Sequence, residues 1–172
     1  PPRGAAVTAG VDRQDDTLGF WVEARSPRVL EDTLAVSLGG GVGWFPGLPR
    51  ARAEEDAASG PWSPFGHVRL RADYGLRIAE SPHRLFVALG PSVIFPSAER
   101  SSTRAGVGVH GGLGVELFAG DRFRTYPLAL VVELGAAAHL AEADVGLQET
   151  ENAPPLATGF ALSAGLRFYP FD

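Results

Sequence analysis

From Leu128 the chain alternates residue by residue between bulky apolar and small or polar side chains. Leu128, Leu130, Val132, Leu134, Ala136, Ala138 and Leu140 form one set, and Ala129, Val131, Glu133, Gly135, Ala137 and His139 the other. From Phe160 the pattern returns, with Phe160, Leu162, Ala164, Leu166 and Phe168 set against Ala161, Ser163, Gly165, Arg167 and Tyr169. A period of two is the signature of a β-strand with one apolar face. Eight such segments can be marked: Gly4–Asp12, Leu18–Arg25, Leu34–Phe45, His67–Ile78, Arg84–Phe95, Arg104–Phe118, Leu128–Leu140 and Gly159–Tyr169. Many are about twice the ~5–6 residues of an ordinary strand. They match the ~9–11 tilted residues that a barrel strand needs to cross a bilayer.

The connections carry separate information. The second, fourth and sixth (Ser26–Thr33, Ala79–His83, Ala119–Pro127) are short and hold turn formers such as Ser26-Pro27, Ser81-Pro82 and Gly120-Asp121. The odd ones include the two longest, Pro46–Gly66 and Ala141–Thr158; the first, Arg13–Thr17, is short. Outer-membrane barrels have short periplasmic turns and longer outside loops, so both termini are expected on the periplasmic side. A short helix over Arg50–Ala58 is expected from composition alone. No apolar run of 18 residues occurs, so no helix is expected to span a bilayer.

Parity does not say which face meets lipid. A soluble lipocalin-type barrel turns its apolar face inward, and a membrane barrel turns it outward. Three features favour the second arrangement. The sets Val68, Leu70, Ala72, Tyr74, Leu76, Ile78 and Leu85, Val87, Leu89, Pro91, Val93, Phe95 run uncharged across a full crossing. The opposite faces are built from small residues: Ala35, Ser37, Gly39, Gly41 and Gly43 on one strand, Gly106, Gly108, Gly112 and Gly114 on another. The bore of an eight-stranded barrel is barely wide enough for side chains and calls for such residues. The charges on those faces also balance, with Asp12, Glu23, Asp73, Glu116 and Glu133 against Arg69, Arg71, Arg77, Arg104 and Arg167. Charges buried in a lumen must pair. Trp44, Phe45, Phe65, Phe95, Phe118, Tyr126 and Phe168 fall near strand ends, where membrane barrels carry aromatic girdles.

Composition narrows the picture further. A chain of 172 residues is expected to form a single domain over its whole length. Gly accounts for 22 residues, nearly twice the ~7% norm. There is no Cys, hence no disulfide and no thiolate chemistry. The 15 basic residues are all Arg, and the net charge is −5, which disfavours nucleic acid as a partner. No signal peptide is visible. An outer-membrane protein is made with one, so its removal before position 1 is expected.

The pattern resembles the small eight-stranded outer-membrane barrels of the outer-membrane protein A and X type. The resemblance rests on strand count, loop asymmetry and a closing strand whose alternate residues Phe160, Leu162, Ala164, Leu166 and Phe168 look like the signal read by the barrel assembly machinery. The tail Tyr169-Pro170-Phe171-Asp172 overshoots that signal. The resemblance implies an all-β, eight-stranded, antiparallel up-and-down transmembrane β-barrel in a bacterial outer membrane. It also implies a bore closed by ion pairs, and outer-membrane lipid and lipopolysaccharide as neighbours.

The candidate site is a polar network in the barrel interior: Glu23, Arg69, Arg71, Asp73, Arg77, His110, Glu116, Glu133, His139 and Arg167. A last hairpin centred near position 149 sets Glu133 opposite Gly165 and makes Arg167 its diagonal partner. No catalytic residue, metal site or cofactor is assigned. His67, His110 and His139 share the inward face without a metal-binding spacing. The expected role is structural, adhesive or interactive, through the outer loops or within a larger envelope complex. Two alternatives remain open. One is a lipid A-modifying acyl hydrolase or transferase, for which Ser63 near His67 is the pairing to inspect. The other is a soluble ligand-binding barrel.

Overall fold

The structure, a computed structural model, describes residues 4–14, 17–46, 62–95, 104–118, 128–144 and 159–170. Eight strands follow one another: β1 (Ala6–Gln14), β2 (Thr17–Arg25), β3 (Leu34–Pro46), β4 (Trp62–Arg77), β5 (Arg84–Ile94), β6 (Arg104–Phe118), β7 (Leu128–Asp144) and β8 (Gly159–Phe168). Each pairs antiparallel with the next, and β8 closes on β1 to complete a barrel. The eight-stranded up-and-down barrel read from periodicity is therefore the fold. Positions 50–58, where a short helix was expected, lie outside the described residues.

Most strand ends fall within two residues of the periodicity-based limits. The exceptions are β4, which starts at Trp62, and β7, which runs on to Asp144. Both extensions lie at the end of the barrel where the long connections emerge. Pairing continues there from Pro46↔Trp62 in one hairpin and Arg104↔Asp144 in another. Beyond the bilayer no apolar face has to be maintained, so the ladder outlasts the alternation that reveals it. A register shift between Val107 and Gly108, paired with Ala141 and His139, adds one residue to β7 at this level.

Side chains sort by parity. Leu38, Leu70, Leu89, Leu113, Leu134, Leu162 and Leu166 all point away from the lumen and are exposed, Leu134 by 62%. A continuous wall of bare leucine and valine this large is incompatible with water and fits hydrocarbon. The aromatic girdle is only partly as expected. Phe95 and Phe168 are exposed at strand ends. Phe118 instead turns inward, 5% exposed, with its ring centroid 5.8 Å from that of Tyr169. The side chains of Trp44, Phe45, Phe65 and Tyr126 lie outside the described residues.

Inward glycines let strands and lumen side chains close up. A Cβ at Gly41 would stand 2.2 Å from the Phe20 carbonyl oxygen and 2.9 Å from His67 Cε1. At Gly90 a Cβ would fall 1.8 Å from the backbone oxygen of Leu70. At Gly112 the obstacle is the flexible end of Glu133, 2.6 Å away.

Two predictions follow from this wall. Leu134→Arg, in the middle of the lipid-facing row of β7, should cost about 2–4 kcal/mol, whereas Leu128→Arg at its rim should cost about 0–1 kcal/mol. Urea unfolding of the refolded barrel in lipid vesicles measures both, and equal costs would contradict the depth assignment. Gly90→Ala should destabilise the barrel by about 1–3 kcal/mol or prevent refolding. Gly112→Ala should be milder in the same assay, because Glu133 can rotate away.

Candidate functional site

Every strand except β3 carries charge at an inward position, and the eight-stranded circumference forces those charges together. Glu116 on β6 is the centre. Its carboxylate lies 3.0 Å from Arg167, 3.7 Å from Arg25, 3.8 Å from Arg28 and 3.9 Å from Arg84. The Tyr169 hydroxyl donates to the same carboxylate and accepts from Arg25 at 2.6 Å. All six side chains are buried. The guanidinium of Arg25 also lies over the Tyr169 ring, and that of Arg84 over Phe118, arrangements favourable for cation–π contact.

From Glu116 the pairs spread in two directions. Toward the even-numbered turns, Arg84 meets Asp32 at 2.6 Å and Arg28 meets Asp73 at 2.7 Å. Arg28 and Asp32 belong to the β2–β3 turn, which folds back beneath the barrel. Arg28 donates to the Thr33 carbonyl at 2.8 Å. Leu30, Glu31 and Asp32 all adopt positive φ (49°, 59° and 70°), a conformation that side-chain-bearing residues avoid. Burying two ion pairs holds the turn in that shape. Toward the middle of the barrel, Arg167 meets Glu23 at 3.5 Å and also donates to Thr8. Arg71 then joins Glu23 at 3.6 Å to Glu133 at 2.6 Å. Higher still, Arg69 donates to Asp12 at 3.4 Å and lies 4.7 Å from the centre of the Trp21 ring.

Among the described residues, six arginines (Arg25, Arg28, Arg69, Arg71, Arg84, Arg167) thus meet six carboxylates (Asp12, Glu23, Asp32, Asp73, Glu116, Glu133). Arginine suits the task because its planar fork serves two acceptors at once and stays charged when buried.

The expected network maps onto this lumen unevenly. Glu23, Arg71, Asp73, Glu116, Glu133 and Arg167 are buried within it. Arg69 is nearly buried beside Asp12, and His110 is half-buried on β6. Arg77 is different: it is exposed at the last position of β4, its backbone paired with Arg84. Parity counted past the wall's edge no longer points into a lumen, and Arg84 occupies the inward place beside the carboxylates. The backbone of His139 pairs with Gly108, while its side chain lies outside the described residues, as does that of Arg104.

The proposed Glu133–Arg167 pair does not form. The last hairpin pairs Glu133 with Ser163 and Ala129 with Arg167, so its register differs by two residues from the expected one. Arg167 reaches Glu116 and Glu23 instead, and Glu133 takes Arg71. Reading by sequence missed Arg25, Arg84 and Tyr169, although all three hold the inward parity of their strands. It also missed Arg28 and Asp32, which sit in a turn where no period operates. Ser63 falls on β4 four positions from His67. At ~3.3 Å per residue their backbones stand ~13 Å apart, a long reach for a nucleophile and its base.

No protein-family model matches this sequence, and no curated protein matches it. Solved structures do. The N-terminal β-barrel domain of Pseudomonas aeruginosa OprF is similar with a TM-score of 0.58 at 12% identity, covering 96% of each chain. Neisserial surface protein A (NspA) is similar with a TM-score of 0.55 at 11% identity, covering 96% of this chain and 94% of that one. The fold is that of the small eight-stranded outer-membrane barrels. Fold and apolar outer wall together describe an integral membrane β-barrel.

Glu116→Gln should lower stability by about 3–5 kcal/mol, because it leaves guanidiniums buried without their shared carboxylate. Glu133→Gln, which deprives Arg71 alone, should cost less. Denaturant midpoints in vesicles compare the two directly.

Proposed function

We propose that this barrel is a non-enzymatic display scaffold: its lumen is closed by ion pairs, and its outer connections, residues 47–61 and 145–158, carry the interaction with partners. The observation that supports this reading is the unbroken run of buried pairs from Asp32 through Arg84, Glu116, Arg167, Glu23 and Arg71 to Glu133. Moving solute through that path would separate ion pairs whose side chains are buried in the lumen. Such a lumen favours a wall that stays rigid and leaves variation to the loops above it. Lipopolysaccharide is the proposed lipid neighbour at the outer rim, where Arg13 faces outward and exposed. A surface ligand or an envelope-complex subunit is the proposed protein partner.

In planar bilayers the purified protein should give no steady single-channel current; regular conductance steps would contradict a closed lumen. Replacing residues 145–158 with a Gly/Ser stretch of equal length should abolish cell adhesion or autoaggregation conferred on a heterologous host. Heat-modifiable migration on gels should be unchanged, because the wall does not depend on the loop. Adhesion that survives replacement of both outer connections would overturn the display reading.

A further inference from the structure

The outer half of the lumen differs from the half around Glu116 in what its polar groups lack. Below, Arg25, Arg28 and Arg71 also carry nitrogens without a hydrogen-bond partner, but Arg28 and Arg71 each lie within ion-pair distance of two carboxylates and Arg25 within that of Glu116. Above, Arg69 has Asp12 as its ion-pair partner, and unmet nitrogens of three different side chains collect around that single pair. Trp21 is 3% exposed, and its indole Nε1 has no hydrogen-bond partner. Arg69 donates through one nitrogen to Asp12, while its Nε and Nη2 are buried with no partner. Neither ring nitrogen of His110 has one.

These groups belong to one neighbourhood. The Arg69 guanidinium lies 4.7 Å from the centre of the Trp21 ring. Arg69 pairs with Ser92 and Ser92 with Gly108, two positions from His110 on the same face of β6. Gly90, the cross-strand neighbour of His110, has no side chain to stand between that imidazole and β4. Opposite, Gly41 and Gly39 keep β3 bare beside Trp21 and Arg69.

Indole and guanidinium nitrogens can only donate. Burial without a partner leaves each of them with an uncompensated loss of hydration. The unmet donors of Trp21 and Arg69 call for a species that supplies acceptors, and the Arg69 guanidinium, which gives only one nitrogen to Asp12, favours an anionic one through charge-assisted bonds. Asp12 and Arg69 keep 18% and 12% of their side-chain surface accessible, so the cluster is not sealed.

We propose that the outer half of the lumen holds a binding site for a small oxyanion, a carboxylate or a phosphate group, ligated by Arg69, Trp21 and His110. The site goes beyond the display role: it makes the upper lumen a blind receptor pocket, closed beneath by the Arg71–Glu133 pair. Arg69 and the Trp21 indole hold the charged end, and His110 donates from the β6 side.

The test uses the full chain, refolded in detergent micelles with the indole nitrogens labelled with ¹⁵N. Sodium phosphate and sodium acetate are titrated separately against chloride at matched ionic strength, and Trp21→Phe identifies the Trp21 indole signal. A saturable downfield movement of that signal is expected with at least one of the two. Saturation by phosphate alone assigns a phosphate site, by acetate alone a carboxylate site, and by both a general oxyanion site. Arg69→Gln should weaken binding about tenfold or more, the equivalent of one charge-assisted bond. His110→Ala, which leaves the ion pairs intact, should weaken it by a smaller factor and serves if Arg69→Gln fails to refold. A linear or absent response to both anions, or an unchanged response in His110→Ala and in refolded Arg69→Gln, would mean that the upper lumen holds only water and would overturn the site.

Discussion

A carboxylate shared by several guanidiniums is the contact on which the rest of this molecule depends. An eight-stranded wall that turns leucine and valine outward has one place left for its charge, and that place is narrow. Charges confined there must meet partners or be neutralised. Glu116 meets that demand for Arg25, Arg28, Arg84 and Arg167 together. Tyr169 caps the arrangement from the end of β8. The pairing ties β2, β5, β6, β8 and the β2–β3 turn into one closed object, beyond what the backbone ladder alone enforces.

The same constraint explains the glycines. Arginines and a tryptophan fit inside a small circumference only if neighbouring inward positions give up their side chains. Gly41 makes room beside Trp21 and His67. Gly90 lets β5 approach the backbone of β4 where Arg71 points inward. Small residues and large charged ones are two halves of one packing solution, which is why they share faces along the strands.

Much of this was legible in the chain itself, because a strand writes its orientation in every second residue. The inward placement of Glu23, Arg71, Glu116 and Arg167 needs only parity and the decision that the apolar face meets lipid. Parity also reaches Arg25 and Arg84, which were passed over because they stand at strand ends. Which acid meets which base was not legible, since it depends on register across hairpins: a two-residue difference in the last one moved Arg167 from Glu133 to Glu116 and Glu23. Arg28 and Asp32 were hidden for another reason. They act from a turn whose left-handed residues no periodicity announces. Function was less legible than fold, because the likeness to OprF and NspA at 12% and 11% identity carries architecture and leaves the site to be argued from side chains.

The charged lumen exists only if the leucine and valine face meets hydrocarbon. The absence of cysteine permits single-site spin labelling without background. Nitroxides placed one at a time at Leu89, Leu134 and Ala137 in vesicle-inserted protein can be tested for collision with dissolved oxygen and with a water-soluble nickel reagent. Labels at Leu89 and Leu134 should be relaxed by oxygen and shielded from nickel, while the label at Ala137 should lack the lipid signature. The reverse result, with Leu89 and Leu134 reached by nickel and Ala137 by oxygen, would turn the barrel inside out and remove the basis for the charged lumen.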